Sequence, residues 1–254
     1  MKCGFHVDCP RIYSVSDVIQ SVKSWDPSNE THKETLLKHR MNAENKCIKN
    51  HILESGGWCL RKPVRVPKNS PGVTQFLPPH HNVADQGVVK FLVDLLKNGE
   101  TINDFGAGVG QLVTEVKHHL PKLVYGAFDG AGNVEKITNG NVSFADLTVP
   151  LSLPRRDYVI SLEVGEHISS KNEYMFVRNL HAHNCRGILL SWAKLHQGGH
   201  HHVNDHSRHY VTSLFTDLGY RLDNNATKWL RKNGMFWWMR ENMYMFRRNS
   251  VCPY

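Results

Sequence analysis

Two groups of residues in this 254-residue chain have the types and spacing to do chemistry. The first is Asp104-Phe105-Gly106-Ala107-Gly108-Val109-Gly110, which follows a short β-type run and opens a helical one. Glycines at 106, 108 and 110 permit a tight turn and let backbone N–H groups approach a ligand closely. A glycine triplet alone suits NAD or FAD equally well. Three acids decide between them. Asp129 ends the next strand, in Tyr125-Gly126-Ala127-Phe128-Asp129, where a carboxylate can accept both hydroxyls of a ribose. Asp146 follows the third short strand, in Phe144-Ala145-Asp146-Leu147, where it can accept from the exocyclic amine of adenine. Asp104 stands at the entrance of the loop. There a carboxylate would repel the pyrophosphate of a dinucleotide but attract the ammonium of an aminoacyl sulfonium ligand.

The second group is Glu163-Val164-Gly165-Glu166-His167, just past the fourth strand, where open α/β sheets put their active crevice. If a helix begins here, Glu163, Glu166 and His167 stand at i, i+3 and i+4 and share one face. Two carboxylates and an imidazole can bind Mg²⁺, Mn²⁺ or a similar divalent ion. The plain structural alternative is a Glu-His pair that shapes a helix start and the wall of an adenosine pocket, with His167 as a packed core residue.

The elements that must position these groups follow from periodicity. Apolar residues at helical spacing run from Val83 to Leu96 and stop at Asn98-Gly99. Short β-type runs then alternate with helical ones. The strands are Thr101–Phe105, Leu123–Phe128, Val142–Phe144, Tyr158–Leu162 and Gly187–Trp192. The helices are Gln111–His119, Asn133–Ile137, Tyr174–His183 and Tyr210–Leu218. That alternation predicts right-handed crossovers and a parallel sheet with helices on both faces. Tyr220–Trp229 and Phe236–Phe246 read as two antiparallel strands, joined through the hairpin signal of Asn233-Gly234. Residues 1–80 differ in kind. Helical stretches at Ser16–Lys23 and Asn29–Ile52 lead to Gly56-Gly57, and Pro63, Pro67, Pro71, Pro78 and Pro79 then punctuate an extended segment. The chain thus divides into an N-terminal helical and irregular lid, 1–80, and an α/β domain, 81–254. The lid should fold over the crevice, with Trp58, Phe76, His80 and His81 as candidates for lining it.

With these elements in place, residues 81–254 resemble the class I S-adenosylmethionine-dependent methyltransferases. The likeness rests on the stretch from Asp104 to Gly110, on Asp129, on Asp146, and on Asp157-Tyr158-Val159-Ile160-Ser161-Leu162-Glu163. It implies a Rossmann-like, mostly parallel seven-stranded sheet with a reversed final strand. It also implies S-adenosyl-L-methionine as cofactor, with Asp104 facing the methionine part, Asp129 the ribose and Asp146 the adenine; Gly106, Gly108, Gly110, Leu147 and Glu163 complete the implied cofactor contacts. The segment Glu163–His167 is similar to the metal motif of two groups, the ubiquinone-biosynthesis O-methyltransferases and the small-RNA 3′-end 2′-O-methyltransferases. In both, a second histidine arrives from beyond the fifth strand. Here His200-His201-His202-Val203-Asn204-Asp205-His206 occupies that region, so His202, His201 or His206 can serve.

The metal set so implied is Glu163, Glu166, His167 and His202, holding Mg²⁺ or another divalent ion against two neighbouring substrate oxygens. Without a metal, a histidine of this loop can act as general base, and His202 with Asn204 is the first pair to test. Glu166, His167 and His202 are the catalytic candidates in either case. The expected reaction is methyl transfer to an O or N nucleophile of a small molecule. Two alternatives are an RNA or protein acceptor, and a non-catalytic binding module of the same fold. The six tryptophans Trp25, Trp58, Trp192, Trp229, Trp237 and Trp238 could stack an aromatic substrate, but core and hairpin packing is the favoured reading for at least four.

Composition bounds these readings. Lys and Arg number 31 against 23 Asp and Glu, for a formal charge of +8 with 17 His neutral. Residues 1–80 and 221–254 each carry +5, and residues 81–220 carry −2. The excess therefore bears on what docks beside the crevice and not on what sits in it. An RNA acceptor would require a continuous basic surface and a steep salt dependence. No apolar run nears the roughly 20 residues that span a bilayer, and the first residues lack an apolar signal region, so no membrane partner and a cytoplasmic location are expected. Cys3, Cys9, Cys47, Cys59, Cys185 and Cys252 form no C-x-x-C pair, and reduced thiols are the expectation, with an N-terminal disulfide cluster as the alternative.

Overall fold

The computed structural model describes residues 8, 10–23, 26–48, 55–57, 59–60, 83–250 and 252. Seven strands form one sheet in the order β3-β2-β1-β4-β5-β7-β6. They are β1 (Ile102–Phe105), β2 (Tyr125–Asp129), β3 (Ser143–Phe144), β4 (Arg156–Ser161), β5 (Asn184–Ser191), β6 (Tyr220–Leu222) and β7 (Met243–Arg248). The first five are parallel, and β7 enters antiparallel between β5 and β6. This is the expected α/β architecture, a mostly parallel seven-stranded sheet with an antiparallel C-terminal pair.

Side-chain alternation on the buried strands feeds two apolar layers. Ile102, Tyr158, Ile160 and Leu189 pack on one side with α3 (Gln86–Leu96) and α4 (Gln111–His119). Phe105, Val159, Ile188 and Leu190 pack on the other with α6 (Glu173–Ala182) and α7 (Arg208–Asp217). Asp85 starts α3 as an N-cap, accepting from Val88 N at 3.1 Å. The short α5 (Val134–Thr138) links β2 to β3.

The C-terminal connection is a correction. Tyr220–Trp229 is not one strand, and Asn233-Gly234 does not turn a hairpin. β6 stops at Leu222, and α8 (Asn224–Asn233) and α9 (Trp237–Arg240) intervene before β7. Asp223 caps α8 by accepting from Ala226 N at 3.0 Å. Ala226, Thr227 and Leu230, spaced three and four apart, turn one face inward, and Thr227 Oγ1 accepts from Met245 N of β7 at 3.0 Å. Gly234 ends the helix, its N–H reaching Leu230 O. A dipeptide that signals a tight turn between strands here stops a helix.

Two N-terminal helices lie on this domain, α1 (Val15–Lys23) and α2 (Glu30–Ile48). Val18 of α1 is fully buried among the residues of the α6–α7 layer. Helix α2 packs through Ala43 and Leu36, and polar contacts add to its hold. His32 Nδ1 is 2.9 Å from Ser152 Oγ, and Arg40 pairs with Glu135. The proline-rich segment, Trp25, Trp58, Phe76, His80 and His81 lie outside the described residues.

The expectation of reduced thiols also changes. The structure joins Cys47 to Cys59 and Cys185 to Cys252 as disulfides, with Cα atoms 5.1 and 4.9 Å apart. The second ties the chain end to the start of β5, where Arg248 Nη1 donates to Asn184 O at 2.9 Å. No helix among the described residues is long and apolar enough to cross a membrane.

Candidate active site

The glycine loop leaves β1 at Phe105 with three left-handed residues, Gly106, Gly108 and Gly110, at φ of 90°, 57° and 79°. A side chain at Gly106 would also place its Cβ 2.2 Å from Val164 Cγ2, so glycine is required there twice over. The N–H groups of Gly106 and Ala107 both donate to Phe128 O, at 2.8 and 2.9 Å, which stitches the loop to the end of β2. Asp129 holds the same junction: its oxygens accept from Gly108 N and Ala131 N, each at 2.8 Å. Burial raises the Asp129 carboxyl above the usual range, against the pull of those two N–H groups.

Asp104 is buried, and Tyr125 donates its hydroxyl to Oδ2 at 2.9 Å. Burial and the nearby Asp129 charge push its carboxyl up to about 7 in spite of that bond. Asp146, also buried, accepts from Thr148 N and Oγ1 at 2.9 and 2.6 Å, and its second oxygen lies 2.7 Å from His39 Nδ1 of α2. Leu147 beside it is buried and gives its carbonyl to Asn179 Nδ2 at 3.0 Å. Asp104, Asp129 and Asp146 thus stand at or just past the ends of β1, β2 and β3, along one edge of the sheet.

The fourth strand delivers the Glu-His segment in a form that the sequence does not suggest. Residues Gly165–His167 form a 3₁₀ turn, and Glu163 precedes it in the left-handed region at φ 55°. Glu163, Glu166 and His167 therefore do not share the face of an α-helix. One hydroxyl fixes the unusual backbone of Glu163: Ser191 Oγ accepts from Glu163 N at 2.7 Å and donates to its Oε1 at 2.8 Å. A strained non-glycine residue held this firmly is common at functional sites.

Beyond the turn, Glu166, His167 and His202 each offer one ligand atom within 4.8 Å of the others; Glu163 is not in that trio. Glu166 is completely buried, and among the described residues no side chain bonds either carboxylate oxygen; only the backbone at Glu166 and Ala193 acts on it. Burial and the Glu163 charge push its carboxyl well above the usual range. Burial and the neighbouring His202 lower the His167 imidazole to about 4. His167 Nδ1 donates to His201 O at 3.2 Å, which in the neutral ring leaves Nε2 as the basic nitrogen.

Of the three histidines considered as the distal ligand, only His202 joins the cluster. His201 contributes its carbonyl. His206 is fully buried elsewhere, 2.7 Å from Glu173 Oε2 through Nε2 and stacked on Tyr210 at 3.7 Å. Asn204 does not accompany His202, because its amide donates to Glu173 Oε2 at 2.8 Å. Asp205 takes that place, with Oδ1 at 3.0 Å from His202 Nδ1 but off the axis of a hydrogen bond. The loop is anchored from below: Val203 N and Asn204 N donate to Glu166 O at 2.8 and 3.1 Å, and Trp192 Nε1 donates to Asn204 O at 2.7 Å.

N-terminal residues lie directly on these groups. A Cβ at Gly56 would sit 2.8 Å from His167 Cβ, and one at Gly132 would sit 2.3 Å from the backbone of Ala43 in α2. Leu60 N and O both bond the side chain of Asn133, at 2.9 and 2.7 Å. Sequence reasoning missed His39, Tyr125, Asn133, Ser191 and Asp205. Only Asp205 carried a signal, the His-x-x-Asp spacing from His202. Among the tryptophans, Trp192 is buried, Trp229 and Trp238 pack on the core, and Trp237 is 75% exposed.

No protein-family model matches the sequence, and no curated protein matches it. Solved structures do. The chain is similar to magnesium protoporphyrin IX methyltransferase (ChlM) from Synechocystis PCC 6803 with bound SAH, at 17% identity and a TM-score of 0.48, over 65% of this chain and 83% of that one. It is similar to human N-acetylserotonin methyltransferase in complex with SAM, at 14% identity and a TM-score of 0.47, over 65% and 52% of the two chains. It is also similar to the methyltransferase domain of bacterial CtHen1, at 14% identity and a TM-score of 0.47, over 66% and 98%. At these identities the likeness is one of fold.

Proposed function

We propose that this chain transfers a methyl group from S-adenosyl-L-methionine to an oxygen or nitrogen nucleophile of a small molecule. The observation that carries the reading is the row Asp104, Asp129 and Asp146 around a loop of three left-handed glycines. A carboxylate at each of three successive strand ends suits an ammonium, a ribose diol and an adenine amine in that order. Methyl transfer then needs a deprotonated nucleophile held in line and at short range. The described N-terminal residues act as a lid in this reading, with α2 over the adenine end and the turn at 55–57 over His167.

The Glu166, His167 and His202 donor set fits a divalent cation. The fit rests on a buried carboxylate with no side-chain partner among the described residues, an imidazole kept neutral by burial, and a second imidazole at ligand distance. A bound ion would supply Lewis acidity toward an acceptor hydroxyl. The protein's own part is to hold that hydroxyl near His202. Where no ion binds, His202, with Asp205 Oδ1 3.0 Å from its Nδ1, takes up the proton of that hydroxyl as the methyl group is transferred.

Calorimetric titration with S-adenosylmethionine tests the cofactor assignment. Binding is expected, and Asp104→Ala or Asp129→Ala should weaken it by roughly 10- to 100-fold, the worth of a hydrogen bond to a charged group. Undiminished affinity in both variants would overturn it. A labelled-methyl screen over small-molecule, RNA and protein fractions identifies the acceptor, and cofactor binding without transfer in every fraction would favour a binding module.

A further inference from the structure

Outside the acid row and the Glu-His cluster, an open pocket of about 540 Å³ is lined by Arg208, Arg231, Trp237, Arg240 and Glu241. Three guanidiniums face one carboxylate, and Glu241 is already ion-paired with Lys194 outside the lining. The pocket is therefore strongly positive. The backbone fixes two of the arginines: Arg231 Nε donates to Met243 O at 3.0 Å, and Arg240 Nε donates to Gly234 O at 2.6 Å. Arg231 also lies over the Tyr244 ring, with Cζ 5.1 Å from its centroid, and its Nη2 is buried with no hydrogen-bond partner among the described residues. A buried guanidinium N–H without an acceptor is unfavourable in an isolated protein and suits one that receives an acceptor from a ligand. Trp237, 75% exposed, adds a flat apolar surface beside the charges.

The position of the pocket gives it a role. Met243 begins β7 opposite Ser191, the last residue of β5, and Ser191 is the hydroxyl that holds Glu163. Helix α9 thus lies at the sheet edge that also carries Glu166 and His167. Arg208 starts α7 on one face of the sheet, whereas Arg231 and Arg240 come from α8 and α9, which pack on the other. The pocket straddles that edge. Its wall is also bonded to the loop bearing His202, since Lys194 pairs with Glu241 and Asn242 Nδ2 donates to Gln197 Oε1 at 2.5 Å.

We propose that this pocket is an oxyanion subsite, in which Arg208, Arg231 and Arg240 bind a phosphate or carboxylate group while Trp237 covers an adjoining planar group. Given the methyltransferase reading above, on which this step rests, the occupant is the anionic end of the methyl acceptor. The acceptor class is then an aromatic or otherwise planar compound carrying an oxyanion, not a neutral one. Guanidiniums favour this chemistry because their forked N–H groups match two oxygens at once.

Phenyl phosphate and benzoate, titrated against the full chain and followed by Trp237 fluorescence, test the inference, with Trp237→Phe as the optical control. Saturable quenching is expected that weakens with added salt. The double variant Arg208→Gln with Arg240→Gln changes two exposed side chains and should weaken binding by at least about tenfold, as loss of charge-assisted hydrogen bonds implies. Its affinity for S-adenosylmethionine should be unchanged. Tighter binding of phenyl phosphate than of benzoate assigns a phosphate ester; equal binding assigns a carboxylate-tolerant site. Absence of quenching by either probe, or quenching undiminished in the double variant, overturns the subsite. Probe binding in a protein that fails to bind S-adenosylmethionine overturns the methyltransferase reading and the acceptor role, and leaves an anion pocket.

Discussion

His39 of α2 and Asp146 beyond β3 meet with Nδ1 and Oδ2 2.7 Å apart, so the carboxylate best placed for adenine also latches the N-terminal helix to the sheet. Among the described residues of α2 only Ala43 is fully buried, so polar contacts of this kind help to keep the helix in place beside Leu36 and the Cys47–Cys59 bond. His39→Ala should therefore act locally. The imidazole is partly exposed, which limits the contact to about 1 kcal/mol, or roughly fivefold in affinity. Calorimetry should show that weakening of S-adenosylmethionine binding, with faster amide exchange across residues 30–48 and little change in the melting midpoint. Unchanged exchange in α2 would mean that the latch does not hold the helix.

Asp104 predicts how cofactor binding depends on pH. Burial and the Asp129 charge raise its carboxyl to about 7, above the ordinary aspartate value. A raised carboxyl favours the neutral acid in the folded state. Its contribution to stability is complete below the unfolded value of 3.8 and is lost as pH rises through about 7. An ammonium ligand favours the carboxylate instead. Binding at about pH 6 should release close to one proton, and affinity should fall as pH drops below about 7. Titrations in buffers of different ionisation enthalpy measure the proton directly, and Asp104→Asn should abolish its release.

The sheet was legible because its strands are buried on both faces and its helices carry apolar residues three and four apart. The glycine loop was legible because left-handed backbone at Gly106, Gly108 and Gly110 leaves a mark in residue type. The C-terminal connection was not. Asn233-Gly234 stops a helix as readily as it turns a hairpin, and only the cap at Asp223 and the packing of Leu230 choose between them. The geometry of Glu163 was hidden for another reason. Nothing local announces a glutamate at positive φ, since its support, Ser191, comes from a different strand. Choosing among His201, His202 and His206 likewise required the loop's anchors on Glu166 and Trp192, which are long-range contacts.

Glu166 should behave as a group awaiting a partner. Its carboxyl is raised by burial and by Glu163, so the folded state loses stability as pH rises through its elevated value. Glu166→Gln should leave the melting temperature in acid almost unchanged and remove part of the decline toward alkaline pH. After EDTA treatment, Mn²⁺ or Mg²⁺ at about 100 times its dissociation constant should stabilise the wild type by about 2.7 kcal/mol, a shift of several degrees. The variant should lose most of that shift. Equal melting temperatures of the wild type with and without these ions would retire the divalent site and leave His202 as a metal-free base.

Glu173 should set both the stability of the molecule and the position of His202. It is buried and gathers four partners: Tyr13 and Tyr210 donate to Oε1, while Asn204 and His206 meet Oε2. On the other side of His206, Nδ1 is 3.2 Å from Asp8, which also accepts from Ser207 N at the start of α7. Burial alone would raise the Glu173 carboxyl, but these bonds outweigh it and hold it below the usual range. The stability it contributes is therefore present above the ordinary glutamate value and lost as pH falls through the lower, folded one. Glu173→Ala strands a buried imidazole and two hydroxyls and should cost about 3–5 kcal/mol in urea unfolding. Glu173→Gln, which keeps the shape, should cost less and should flatten the acid limb of the stability profile. Asp8→Ala should cost about 1 kcal/mol, as loss of its hydrogen bonds from Ser207 N and Oγ implies. Because both carboxylates act through His206, the double variant Asp8→Ala with Glu173→Gln should depart from additivity by about 0.5–3 kcal/mol. Strict additivity would mean that His206 does not couple the N-terminal arm to the loop that carries His202.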